Sequence, residues 1–415
     1  VSMRINRQLV LKAGVLALAA AALATVLAAL VFLPDAQPVG YVGQPAVSSS
    51  NVSNGNAIMY SIDYDASDWS GNVHAYPISN GGAIDSTDEW GTGGASAKVK
   101  LQSAADARFI VTSRPGGGAP AGIPFRWNSL SAGAGGQREA LDAPGAALPS
   151  SALLQYLRST RANEGSGPGK YRARAHGLGD IIHSTPVYWD DGVNRTVFVG
   201  ANDGMMHALN AADGSERFAY VPAVLLPKLA ALASPSYTHQ YYVDGRLDVK
   251  QFGAQAILVG TLGGGGKAIF ALDVTNAAAS SELNAAAKVL WEISNASSNF
   301  ADLGDTYGEP TLLTMPDGRA ALAIGNGYNN TGNGHAILYL IDAKNGTLIA
   351  AIDTGAGSSV VDNDNGRGPD ETTAATLIAA RSTDGETSGI PPDDGDTPRA
   401  ASPKGTTSVR SHPAT

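Results

Sequence analysis

The sequence predicts an all-β protein of the β-propeller type, and three observations predict it. Between Gly179 and Gly357 one scheme recurs: a short apolar run, a Gly/Asn/Asp turn, a second apolar run, then another turn. Its copies occupy 197–214, 257–275 and 321–346, the last broken by a polar loop. Asn210, Asp273 and Asp342 hold equivalent places, 63 residues (210 to 273) and 69 residues (273 to 342) apart. Composition agrees, because 50 glycines and 22 prolines against 8 phenylalanines describe a turn-rich chain with modest side chains. Each copy reads as a hairpin of two strands of about 4 to 6 residues. One hairpin cannot bury its own apolar face, so repetition implies stacked or radial sheets, most economically a propeller. A plain antiparallel sandwich is the competing arrangement.

Taken in order, the chain opens with an export segment, residues 1–36. Arg4, Arg7 and Lys12 precede Ala13 to Leu33, which carries no charge, and Pro34-Asp-Ala36 follows. This is the layout of a signal peptide cut after Ala36. The apolar run is also long enough to cross a bilayer as an anchor, but its alanine richness favours cleavage. Residues 37–58 are expected to be a flexible lead-in, Ser/Asn/Gly-rich from residue 40. The propeller region is placed at 59–357. From Ser61 to Phe125 it carries strand-like runs, including Lys98-Val-Lys-Leu101 and Arg108-Phe-Ile-Val-Thr112.

Gly71-Asn-Val-His-Ala-Tyr76 resembles Gly204-Met-Met-His-Ala-Leu209, and its His-Ala pair lies about two repeat lengths upstream. An intervening copy is due near Ala140-Leu-Asp-Ala-Pro-Gly145, but no apolar strand precedes it and 148–159 reads as a short helix. Residues 358–415 form a low-complexity tail. Its last part, 381–415, offers only Ile390 and Val409 as large apolar residues and is expected to be disordered.

Bulk chemistry narrows the function. A net charge of −9 gives no basic surface for nucleic acid. The absence of cysteine removes disulfides, thiolate metal sites and thiol nucleophiles together. The glycines at 263–266 fail the phosphate-loop template, because Thr261 and Ala268 stand where Gly and Ser or Thr are needed. They are read as a hairpin turn. Asp180, His183 and Ser184 hold the residue types of a hydrolytic triad but are adjacent in sequence, and no Gly-x-Ser-x-Gly surrounds Ser184. A polar turn before a strand at Val187 to Trp189 is the preferred reading.

The histidines at 74, 176, 183, 207, 239, 335 and 412 show no two-ligand zinc spacing. Asp362-Asn-Asp-Asn-Gly366 begins like a calcium loop, yet its glycine comes one place early and Thr373 stands where Glu is needed. Asn326, Asn329, Asn330 and Asn333 are assigned to turn geometry. The aromatic group Tyr237-Thr-His-Gln-Tyr-Tyr242 reads equally as an exposed contact patch and as packing of an inserted loop. No catalytic, cofactor or metal residue is assigned.

Several segments together resemble PilY-type type IV pilus biogenesis and tip proteins in their C-terminal propeller region. They are Leu178-Gly-Asp-Ile-Ile-His-Ser-Thr-Pro-Val-Tyr188, Val197-Phe-Val-Gly-Ala-Asn-Asp-Gly-Met-Met-His-Ala208, Phe218-Ala-Tyr-Val-Pro222 and Tyr241-Tyr-Val-Asp-Gly245. Tyr307-Gly-Glu-Pro310, Gly325-Asn-Gly-Tyr328, Asp353-Thr-Gly355, Trp69-Ser-Gly71 and Phe125-Arg-Trp127 extend the likeness over about 60 to 357.

The resemblance implies a non-enzymatic propeller, exported to the periplasm, outer membrane or pilus tip of a Gram-negative-type cell. It would support pilus assembly, oppose retraction and contribute to surface adhesion, with minor pilins as partners. Membrane contact would come only through the N-terminal segment. The von Willebrand A-like adhesive domain of some members is not expected here, which weakens the case for direct adhesion. Family members follow the Asp-Thr-Gly segment with a calcium loop and closing blades, whereas here Asn365-Gly366 leads into Arg367-Gly-Pro-Asp370. The expectation is a missing calcium loop, an incomplete propeller and unrelated sequence from about Arg367.

Two other functions compete. Quinone-dependent dehydrogenases use blades with similar Ala-Leu-Asp turns, but need carboxylates, calcium and a stacking tryptophan on the axis. Only Trp189 and Trp291 lie within the repeats. A generic envelope propeller that binds glycans or proteins is the other alternative.

Overall fold

The computed structural model describes residues 39–40, 46–47, 57–114, 121–142, 148–330 and 334–357. Four β-sheets follow one another along the chain. The first holds β1 (Val39–Gly40), β2 (Ala46–Val47), β3 (Ala57–Asp65) and β4 (Ser70–Ile78). Helix α1 (Gly94–Ala104) leads to β5 (Ile110–Ser113) and β6 (Gly122–Pro124), then to the short helices α2 (Gln137–Ala140) and α3 (Ser150–Leu157). The second sheet is completed by β7 (Val187–Asp190), β8 (Arg195–Ala201), β9 (Met205–Asn210) and β10 (Glu216–Val221). The third is the meander β11 (Leu247–Phe252), β12 (Gln255–Thr261), β13 (Ala268–Asp273) and β14 (Val289–Ser294), with α4 (Glu282–Ala286) before its last strand. The fourth is the meander β15 (Thr311–Thr314), β16 (Ala320–Gly325), β17 (His335–Asp342) and β18 (Leu348–Gly357).

Alternation along the central strands explains how the sheets stack. A strand turns successive side chains to opposite faces, so one buried on both sides becomes apolar throughout. In β8, Val197 and Val199 face Tyr60, Ile62, Val73 and Ala75 of the first sheet. Phe198, between them, faces Leu258, Phe270 and Leu272 of the third. In β12, Leu258 points back while Ile257 and Val259 join Leu322, Ile324, Ile337 and Tyr339 of the fourth. The leading strands β7, β11 and β15 contact one another in turn. Sheets stacked face to face with their leading strands side by side are the blades of a propeller.

Two tryptophans latch neighbouring blades. Trp90 Nε1 donates to the carbonyl of Ala211 at 3.0 Å, joining the first sheet to the second. Trp291 Nε1 donates to Ala343 at 2.9 Å, joining the third to the fourth. Both acceptors lie in the equivalent Asn/Asp-Ala-x-Asp/Asn-Gly turns. The closing glycines, Gly214 and Gly346, sit at φ 72° and 74°, and a Cβ there would come within 2.7 and 2.9 Å of the indole rings. Glycine is required twice over, by conformation and by close approach.

Two expectations change. Lys98-Val-Lys-Leu101 lies in α1, not in a strand. Helix formers surround it, and Ala95 and Val99, four residues apart, are its fully buried apolar contacts. Within the lead-in, Val39–Gly40 and Ala46–Val47 pair with β3 opposite Asp65–Tyr64 and Tyr60–Met59. As the missing apolar strand before Ala140 implies, the described residues of 94–178 supply no blade. Instead β5 pairs in parallel with β10 and widens the second sheet to six strands. Among the described residues no helix is long and apolar enough to cross a membrane. Residues 1–36, expected to form an export segment, the calcium-like loop 362–366 and residues 358–415, expected to form a tail, lie outside the described residues.

Candidate functional site

The connections between sheets gather on one face of the stack with the β8–β9 and β12–β13 turns and residues 326–330 after β16, where Asn202 bonds Asp180, Gly263 bonds Thr306 and Gly304 bonds Asn326. The hairpin turn joining β3 to β4 meets them, because Asp180 N donates to the Trp69 carbonyl and Ser70 bridges Gly179. Asp68 organises this turn. Its carboxylate accepts from Ser70 N and Oγ at 3.0 and 2.6 Å and from Ala175 N at 2.8 Å. Trp69 adopts φ 57°, a left-handed conformation that is unusual for a bulky residue.

The Asp180, His183 and Ser184 trio is not assembled as a triad. Asp180, 1 % exposed, accepts from Asn202 Nδ2 at 2.8 Å and pairs with His239 Nε2 at 2.8 Å. His183 Nδ1 pairs with Asp244 at 2.6 Å instead. Burial raises the Asp244 carboxyl above the usual carboxylate range, and His183 pulls against that rise. Ser184 is fully buried, and its oxygen accepts from Gly200 N at 2.8 Å. A buried hydroxyl holding a strand is not presented to any substrate.

Other candidates resolve similarly. Gly263–Gly265 make one turn between β12 and β13, and a Cβ on Gly265 would stand 1.7 Å from the Tyr242 carbonyl. The glycines crowd the 241–245 loop while the amides of Gly263, Gly265 and Gly266 donate to the carbonyls of Thr306, Leu262 and Gly263, so they form no phosphate cradle. Asn202 and Asn326 are buried, each bonding the inter-sheet loop before its own sheet. Asn329 and Asn330 bond Asp305 and the His335 carbonyl. The Tyr237–Tyr242 group divides: Tyr242 is fully buried in the core, while His239 and Tyr241 remain part-exposed on the face. Trp291 is spent on its latch. Among the described residues no three His, Asp or Glu side chains are grouped as metal ligands.

Beside Trp69 lies a cavity of about 20 Å³, lined by Tyr156, Arg172, His176, Asn202 and Asp203 among others. It is sized for a water molecule. His176 has a buried Nδ1 with no hydrogen-bond partner, and burial lowers its pKa. Asp203 connects this cavity to a buried ionic chain. His207 Nε2 lies 3.1 Å from Asp203, and its Nδ1 lies 2.7 Å from Glu216. Arg108 grips the same Glu216 through Nε and Nη2 at 2.7 and 2.8 Å. Burial opposes charge on His207, but Asp203 and Glu216 outweigh it and lift its pKa to about 9. Burial likewise opposes ionisation of Glu216, and Arg108 with His207 reverses that, to about 2. Sequence reading missed this chain because its members share no spacing.

The class defined by these features is an all-β protein of stacked propeller blades, with loops converging on an aromatic face. Residues 181–372 match the family model described as the PilY1 beta-propeller domain. A type IV pilus biogenesis factor PilY1 of Pseudomonas aeruginosa strain UCBPP-PA14 is 32% identical over 355 residues, 75% of this chain and 29% of that protein. A PilY1 homolog of Xylella fastidiosa is 36% identical over 252 residues, 52% of this chain and 17% of that protein. The crystal structure of the P. aeruginosa PilY1 C-terminal domain aligns at 34% identity with a TM-score of 0.30, over 39% of this chain and 32% of that one. The chain thus spans under a third of the curated relatives it matches.

Proposed function

We propose that this chain is a non-enzymatic, exported propeller that supports type IV pilus assembly and opposes retraction, working with minor pilins. The observation that carries the reading is the PilY1-type propeller, with 32% identity to a named pilus biogenesis factor over most of the chain. The geometry is compatible with contact as its task. The face where catalysis would be sought holds histidines paired to buried carboxylates and a serine buried beneath a strand. Location at the outer membrane or pilus tip, and a part in adhesion, belong to the same proposal.

Deleting the gene and counting surface pili tests it. Loss of pili, with recovery when retraction is also disabled, is the expected result. Unchanged piliation would overturn the assignment in favour of an envelope propeller with another task.

A further inference from the structure

We infer that the loop face binds a neutral oligosaccharide along a row of seven aromatic rings, with Trp69 as its platform. The row crosses all four blades. Tyr64 and Trp69 lie 6.3 Å apart at 5° between planes, and Trp69 meets His239 at 4.0 Å. His239 meets Tyr241 edge-on at 5.1 Å, and Tyr241 meets His183 at 5.3 Å. Tyr241 and Tyr307 both border Gly264, and Tyr307 meets Tyr328 at 5.6 Å. The His183 side chain is 49% exposed and Tyr307 is 44% exposed.

Three features choose the ligand class. First, the row contains no aliphatic side chain, so it is not built for an apolar helix or strand. Second, Asp180 and Asp244 beneath it are buried and committed to His239 and His183. Their charge is consumed locally, which disfavours a cationic peptide. Third, the rings have polar edges. Among the described residues no hydrogen bond occupies Tyr307 Oη, Tyr241 Oη, His183 Nε2 or His239 Nδ1. Flat apolar faces with donors and acceptors at their rims match the pyranose ring, which has C–H groups on its faces and hydroxyls around its edge. A polyproline ligand has ring faces but no donors to answer those groups.

Backbone strain is the independent pointer. A bulky residue at φ 57° persists only where its surroundings hold it. Here the Asp68 turn and the His239 stack fix the indole at the mouth of the cavity.

The test uses the full chain and hexasaccharides of glucose, N-acetylglucosamine, mannose and galactose, followed by calorimetry and tryptophan fluorescence. At least one sugar should bind saturably. Trp69→Gly should weaken it at least tenfold while the melting temperature holds, because glycine accepts this φ without strain. Should that variant unfold, Tyr307→Ala, on an exposed side chain, should give the same loss. Trp189→Phe should bind like the parent. Binding of none of the four sugars, equal binding by both variants, or Trp69-dependent binding of decaproline or hexalysine instead would overturn the proposal. The proposal stands apart from the pilus role, and piliation counts do not bear on it.

Discussion

His207 is held as an imidazolium deep in the second blade, and stability should report its charge. Its folded pKa of about 9 exceeds the ordinary 6.5, so its contribution is complete below 6.5 and is lost as pH rises through 9. Glu216, at about 2 against an ordinary 4.5, contributes fully above 4.5 and fails as pH falls through 2. Stability from this chain should therefore form a plateau between 4.5 and 6.5. Glu216→Gln should cost about 3–5 kcal/mol by stranding Arg108, and should move the alkaline limb to lower pH. Melting temperatures across pH would show both effects, and a limb unmoved by the substitution would refute the assignment. The His-Ala pairs at 74 and 207 were legible as a repeat, and each histidine is clamped by two carboxylates. The clamps were not legible: Asp63 and Asp88 flank His74 at distances unlike those of Asp203 and Glu216 from His207.

At the scale of elements, the hairpins of the last three blades could be read because turn residues and apolar runs are local signals. The parallel strand β5 could not, since β10 lies about a hundred residues away and pairing carries no local signature. Lys98 to Leu101 misled because a four-residue alternation also fits a helix, and α1 was decided by Ala95 and Val99 meeting the core. The tryptophan latches are a third case. Their acceptor turns were visible, while the donors, Trp90 and Trp291, sit in the preceding blades. Phenylalanine at either position keeps the ring but leaves the Ala211 or Ala343 carbonyl without its donor. Trp90→Phe and Trp291→Phe should each cost about 1–3 kcal/mol. They serve separate interfaces, so their costs should add within about 0.5 kcal/mol in the double variant. Denaturant titration of the three proteins would show this, and strong non-additivity would mean the latches are coupled through the stack.

For the molecule as a whole, the question is what makes successive blades unfold together. The second and third sheets share the largest apolar cluster, and one carboxylate pins its edge. Glu292, on β14, accepts from Tyr220 Oη at 2.5 Å, Ser113 Oγ at 2.6 Å, and the amides of Ala223 and Val224 at 2.8 and 2.9 Å. Those donors come from β10, from the parallel strand β5, and from the segment leaving the second sheet. One side chain thus ties the widened sheet to its neighbour. Glutamine there would turn a donor toward donors and lose at least one bond, at about 2–4 kcal/mol. The apolar interface and the more peripheral polar links, Arg126 and Arg158 to Glu282 and Ala277 N to Asp191, would then join the two halves of the stack. The parent should melt in one transition whose calorimetric and van't Hoff enthalpies agree, and Glu292→Gln should separate them into two. A variant that melts lower but still in a single two-state transition would place the cooperativity in the apolar interface and not in this carboxylate.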